Sequence, residues 1–145
     1  MSRVKIKFPT EKPLFNAVVP VRIGDVNYGG HVGNDAVLSI IHEARMQMLT
    51  AFGLSEMDAG GVGLIMADVA IAYKGESFYK DILDVVIYAN ELTGTSFDLL
   101  YHITTNRNGE VMQVAHAKTG MVCFDYKTRK IAALPDGLKS ILETV

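Results

Sequence analysis

A chain of 145 residues with 49% hydrophobic content holds enough apolar material for one core and is not a disordered segment. Its formal charge of -2, with lysines and arginines dispersed rather than run together, supplies no field for non-specific nucleic-acid binding. One cysteine, Cys123, excludes an intrachain disulfide framework and a thiolate metal cluster.

Residues 1–8 alternate charged with apolar side chains and lack the continuous apolar run of a signal peptide, and no stretch is long and apolar enough to span a bilayer. A cytoplasmic chain that binds neither membrane nor nucleic acid is the expectation. With no repeat and no Pro/Gly/Ser-rich linker, residues 1–145 read as one domain. Phe15 to Ile23 is predicted as an extended segment, with Val19, Val21 and Ile23 on one face and Pro20 marking an edge or irregular position.

Overlapping the end of this segment is the most informative stretch, Val21-Arg-Ile-Gly-Asp-Val-Asn-Tyr-Gly-Gly-His-Val-Gly-Asn34. Its glycines let the backbone turn tightly and approach a ligand closely, ahead of a helix whose first amides are unpaired donors. Such a loop suits an anionic or carbonyl ligand. The helix itself is predicted over Asp35 to Phe52, with Asn34 as N-cap and Gly53 as stop. Apolar residues occupy most of its circumference, so burial on nearly all sides is expected.

After Gly60, Gly61 and Gly63, four strands are predicted at Leu64 to Tyr73, Ile82 to Leu92, Ser96 to Asn106 and Val111 to Asp125. Asn108-Gly109 is a strong hairpin signal, and Gly94-Thr95 offers a second turn. Cys123 reads as a buried strand residue. Short connections imply an antiparallel sheet with its strands consecutive in sequence. About five strands and one helix buried all round fit best when a strongly curved sheet wraps the helix. Leu134 to Glu143 reads as a short amphipathic helix opened by Pro135.

The segment Asp25-Val-Asn27-Tyr-Gly-Gly30-His31-Val32-Gly33-Asn34, followed by Glu43-Ala44-Arg45, resembles the D-x-D-x-x-G-H-V-N-N pattern and E-A-R helix of the hotdog-fold acyl-CoA thioesterases of the 4-hydroxybenzoyl-CoA thioesterase type. Tyr73, Asp81 and Asp125 to Pro135 extend the similarity over nearly the whole chain. The resemblance implies an α+β hotdog fold, a long central helix wrapped by a curved antiparallel sheet of about five strands. It also implies homodimers that pair their sheets edge to edge, homotetramers in many cases, and active sites at the dimer interface. The substrate it implies is an acyl-CoA, with coenzyme A belonging to the substrate and no separate cofactor.

Thioester hydrolysis requires a nucleophile or a base for water, and donors aimed at the carbonyl oxygen where negative charge develops. In the resembling enzymes the second acid of D-x-D commonly supplies the carboxylate, and an amide at the helix start polarises the carbonyl. Here that second acid is Asn27, whose neutral amide orients water or a carbonyl but cannot serve as an ordinary base. Three readings follow. Asp25 activates water while Asn27 and His31 position it and the amide around Asn34 serves the oxyanion; or a gapped match makes Asp25 the family acid outright; or the carboxylate role has been lost. Glu43 is an alternative acid, although at 1.5 Å rise per residue it stands about 13 Å along the axis from the helix start. Structural contacts with neighbouring strands are the competing reading for Glu43 and Arg45.

Tyr28, Gly30, Gly33 and Tyr73 are candidate substrate-binding residues, and Lys127 and Arg129 are candidates for the coenzyme A phosphates. His42, His102 and His116 lack metal-ligand spacing, so no metal is expected. Two other functions compete. Gly24-Asp25-Val-Asn27 is also similar to the G-D-x-N start of the hotdog enoyl-CoA hydratases, which place their histidine one residue closer to the acid. A non-catalytic acyl-CoA-binding protein is the other alternative, motivated by Asn27.

Overall fold

Strand alternation sets the interior. In a computed structural model, which describes residues 3–143, the elements are β1 (Phe15–Pro20), α1 (Asn34–Ala51), β2 (Gly63–Tyr73), β3 (Ile82–Asn90), β4 (Ser96–Arg107), β5 (Glu110–Asp125), β6 (Lys130–Ile131) and α2 (Asp136–Leu142). Leu83, Val85 and Ile87 of β3, Leu99, Tyr101 and Ile103 of β4, and Ala115, Ala117 and Met121 of β5 are all buried, every second residue pointing to one face. In register, Ile103 faces Ala115 and Tyr101 faces Ala117. Large beside small fills that face without overpacking. Cys123 is buried there as expected, and burial pushes its thiol pKa up.

The antiparallel sheet runs β1-β3-β4-β5-β2, with β6 beside β5. Strands β3 to β5 form the expected meander, but β2 pairs with β5 and ends the sheet, so the expected consecutive order fails at β2. The cause lies in residues 74–81, which contain no tight turn signal and carry the chain across the strand ends. Arg107 at the end of β4 clamps this crossing, donating to the Glu76 carbonyl at 3.3 Å and to the Asp81 carboxylate at 2.6 Å.

Helix α1 lays Val37, Ile40, Ile41, Ala44, Met48 and Leu49 against the core and packs on β1 and β3. Asp35, Leu38, Ser39, His42 and Glu43 are exposed, so burial on nearly all sides is corrected to burial of one broad face. The sheet covers only that face within the chain. Gly53, at φ 74°, ends the helix as expected, whereas the N-cap is Gly33, in extended backbone, and Asn34 is the first helical residue.

Other boundaries differ for local reasons. Strand β1 stops at Pro20 and the chain enters a turn of 3-10 helix at Ile23–Asp25, which leaves Ile23 70% exposed instead of aligned with Val19 and Val21. Asn108 and Gly109 take φ of 55° and 83°, the left-handed pair that the hairpin requires. Between β3 and β4 the turn comes from Glu91, at φ 53°, and from Thr93, whose Oγ1 accepts the Thr95 and Ser96 amides at 3.2 and 3.0 Å, rather than from Gly94-Thr95 alone. Helix α2, capped by Pro135, buries Leu138 and Leu142.

On the opposite face of the sheet, Phe8 stacks on His102 with ring centroids 5.0 Å apart and meets His116 edge-on at 5.1 Å. These cross-strand histidines present Nε2 to the same acceptor, Gln113 Oε1, at 2.7 and 3.1 Å. Among the described residues no helix is long and apolar enough to cross a membrane.

Candidate active site

The loop ahead of α1 is held by its own backbone. Asp25 Oδ2 accepts the Arg22 N–H at 2.8 Å, and the Asp25 carbonyl accepts the Gly33 N–H at 3.0 Å. Asn27 and His31 close a tight hairpin in which the Asn27 N–H donates to the His31 carbonyl at 2.9 Å and Gly30 adopts φ 85°. Asn27 Oδ1 accepts the Gly29 N–H at 2.8 Å, which leaves Nδ2 as the free end of its amide. The Val32 N–H reaches the Ser77 carbonyl at 2.8 Å, tethering the hairpin to the crossing between β2 and β3. His31 Nδ1 donates to the Val32 carbonyl at 3.1 Å, which leaves Nε2 for another partner.

Among the described residues three hollows border α1, and several expected site residues divide among them. A cavity of 310 Å³ brings together His31, Asn34 and Tyr73, with Lys74, Gly75 and Glu76. Tyr73 donates its hydroxyl to the Asn34 carbonyl at 3.1 Å, tying β2 to the first turn of α1. A smaller cavity of 150 Å³ is lined by Asp25, Ser39 and Glu43. Asp25 therefore does not share the His31 and Asn34 cavity. Its carboxylate is engaged by the Arg22 amide and 3.8 Å from the Arg22 guanidinium. Asp25→Ala is expected to cost about 1–2 kcal/mol, the usual loss of a helix-capping acceptor, read as an earlier thermal midpoint.

The third hollow is a groove of 830 Å³ along the exposed face of α1, walled by Leu38, Met46, Met57, Leu64 and Met66. Ser39 borders both this groove and the Asp25 cavity. On the groove floor, Arg45 Nε donates to Glu56 Oε2 at 3.0 Å and Arg45 Nη1 to the Tyr101 hydroxyl at 3.2 Å, which lies 2.8 Å from Thr119 Oγ1. His42 Nε2 holds the other Glu56 oxygen at 2.8 Å. Burial pushes the Glu56 carboxyl up, but the His42 hydrogen bond and the Arg45 cation outweigh it and hold it below the usual range. Burial works against the Arg45 cation too, and Tyr101 and Glu56 more than offset it.

Of the remaining expected residues, Tyr28 is fully exposed and lines none of these hollows. Lys127 and Arg129 lie in the turn after β5, outside the walls of all three, with the Arg129 guanidinium 5.9 Å from the Phe124 ring centroid. Gly33 is hemmed in, since a Cβ there would stand 2.7 Å from Asp35 Oδ1 and 3.6 Å from Asn27 Cβ. Asp35, Ser39 and Glu56 were not among the sequence candidates. The spacing of 35, 38 and 42 along one helical row is the signal that exposes the groove side of α1.

A family model described as the thioesterase-like superfamily matches residues 21–142, which include the loop, α1 and the whole sheet from β2 onward. The chain belongs to the thioesterase-like superfamily. It is 32% identical over 114 residues to the long-chain acyl-CoA thioesterase FadM of Escherichia coli, covering 78% of this chain and 85% of the relative. It is 29% identical over 127 residues to a 1,4-dihydroxy-2-naphthoyl-CoA hydrolase of Synechococcus elongatus, covering 85% of this chain and 90% of the relative. Among solved structures, a 1,4-dihydroxy-2-naphthoyl-CoA thioesterase from Synechocystis aligns with a TM-score of 0.77 at 24% identity, over 88% of this chain and 94% of that one. This member of the superfamily is a thioester hydrolase, and its open antiparallel sheet is the one the thioesterase structures share.

Proposed function

We propose that the protein hydrolyses an acyl-CoA thioester to the free acid and coenzyme A, with the carbonyl at the amino end of α1 and the acyl group in the groove along that helix. The observation that carries this reading is continuity. The first turn of α1 has no side-chain cap, and one turn later Leu38 and Ser39 open a groove of 830 Å³ with a mostly apolar wall. Uncapped amides supply the donors for a developing oxyanion, and the groove supplies apolar contact for the acyl group. Asn27 and His31 orient water and carbonyl from the loop, and Lys74, which lines the His31 cavity, joins Lys127 and Arg129 as a candidate for a coenzyme A phosphate.

Thiol release from a panel of short, long and aromatic acyl-CoAs tests the reading, and turnover of at least one is expected. Measurable binding with no thiol released across the panel would sink it. Water addition to an enoyl-CoA without thiol release would point to the hydratase instead. For the base, one observation favours the acids expected from the sequence, the presence of Asp25 and Glu43 in the lining of one cavity with Ser39. Under that assignment, Asp25→Asn or Glu43→Gln abolishes turnover while substrate still binds.

The same reading includes a hotdog domain in which α1 is the central helix of a curved sheet, in a cytoplasmic protein that works without a separate cofactor. It also includes a homodimer, with tetramers as the higher assembly. Strand β2 ends the sheet, and Met66, Val69 and Tyr73 on it are 39%, 39% and 50% exposed, surface that a second β2 would cover. A monomeric sedimentation coefficient at assay concentrations would overturn the dimer.

A further inference from the structure

Of the carboxylates around α1 among the described residues, Asp25, Glu43 and Glu56 are already engaged, whereas Glu76, on the crossing between β2 and β3, and Asp35, on the helix itself, are not. Asp25 Oδ2 takes the Arg22 amide at 2.8 Å, and Glu43 Oε2 takes Gln47 Nε2 at 2.7 Å. Asp35 is exposed, and among the described residues its carboxylate has no hydrogen bond or ion pair.

Helical geometry gives this free carboxylate a defined place. Asp35, Leu38 and His42 are spaced three and four residues apart and share one row of α1, and Leu38 and His42 line the groove. Side chains on a helix lean toward its amino end, so Asp35 projects back over the cap, ahead of the groove and outside its lining. Its Oδ1 would lie 2.7 Å from a Cβ at Gly33, and Asn27 Nδ2 3.9 Å from the same point, so carboxylate and amide border one small space. Any side chain at Gly33 would intrude there.

We propose that Asp35 is the general base for thioester hydrolysis, supplying from the first turn of α1 the carboxylate that Asn27 does not. This rests on the hydrolytic reading above. In the step, Asp35 takes one proton from a water whose oxygen forms a bond to the thioester carbonyl carbon, and the carbonyl oxygen becomes an oxyanion at the α1 amides. Asn27 Nδ2 donates to that water and orients it. Collapse of the adduct breaks the carbon–sulfur bond, and the departing thiolate takes the proton back from Asp35. One water is consumed and acid plus thiol are released.

Asp35→Asn, exposed and isosteric, is measured in the thiol-release assay beside the wild type, Asp25→Asn and the double variant Asn27→Asp/Asp35→Asn. Asp35→Asn is expected to lose about 10²–10⁴-fold in kcat with KM nearly unchanged, and to lose the acid limb of the kcat pH profile. A merely helix-stabilising aspartate would move the melting temperature and leave that limb in place. The double variant, which returns a carboxylate to the neighbouring side of the same space, is expected to recover at least about tenfold of the loss, a part of what a positioned base contributes. Wild-type kcat and an intact acid limb in Asp35→Asn overturn the proposal, and do so while leaving hydrolysis standing if the wild type turns over. Absence of thiol release by the wild type overturns the hydrolytic reading and this role together.

Discussion

Replacing Glu56 with alanine is expected to lower the free energy of unfolding by about 3–5 kcal/mol in a urea titration, more than replacing Arg45 with methionine. The asymmetry follows from which partner is left behind. Arg45 is buried, and without Glu56 its guanidinium keeps only the neutral Tyr101 hydroxyl at 3.2 Å. An uncompensated buried cation is costly. Glu56 sits nearer the groove mouth and retains His42 at 2.8 Å when Arg45 is removed, so Arg45→Met should cost about 1–3 kcal/mol, the loss of buried hydrogen bonds. Equal losses in the two variants would show that the ion pair does not govern this part of the structure. The same network predicts an acid response. The Glu56 pKa is lowered on folding, so its stabilisation is full above the unfolded value near 4.5 and is lost as pH falls through the lower folded value.

Gly75→Ala is the second large effect, and it reaches the active site through the backbone. A Cβ at Gly75 would stand 2.5 Å from the Gln113 carbonyl oxygen. That oxygen cannot swing aside, because Lys74 and Gly75 both donate their amides to the adjacent Val114 carbonyl at 2.9 and 3.2 Å. The methyl group must displace the crossing that follows, and overpacking of this kind costs about 1–3 kcal/mol. Two residues on, the Ser77 carbonyl holds Val32 at 2.8 Å, so the displacement is passed to the His31 hairpin. A shift near 1 Å in positioning groups lowers rates by about 10²-fold, and a drop of that order in kcat/KM is expected alongside the lowered melting temperature. Wild-type turnover in a Gly75→Ala protein with a shifted melting curve would show that the crossing and the loop are uncoupled.

What could be read before the structure was whatever repeats over short distances. The period of α1, the alternation in β3 to β5 and the left-handed Asn108-Gly109 turn are local properties, and they appear at their expected places within a residue or two. The position of β2 is not local. Its pairing with β5 depends on contacts such as Met66 with Met121, far apart in sequence, which no period announces. The site shows the same division. The loop and the helix start were legible from glycines and polar residues, whereas Tyr73 bonding to Asn34 and Glu56 bonding to Arg45 join segments that only the fold brings together. Asp25 drew attention through its place in a motif, and Asp35 did not because a first-turn aspartate is ordinary helix chemistry.

The two histidines beneath Phe8 bear on how the protein takes up protons. Gln113 Oε1 can only accept, so both rings carry hydrogen on Nε2. Burial, His102 and Lys74 all lower the pKa of His116, so the unfolded chain binds a proton there more readily than the native one does. This contribution to stability is complete above the unfolded value near 6.5 and is lost as pH falls through the lower native value. Acidification therefore weakens the protein at the sheet's outer face, where Phe8 rests on these rings, as well as beneath the groove at Glu56.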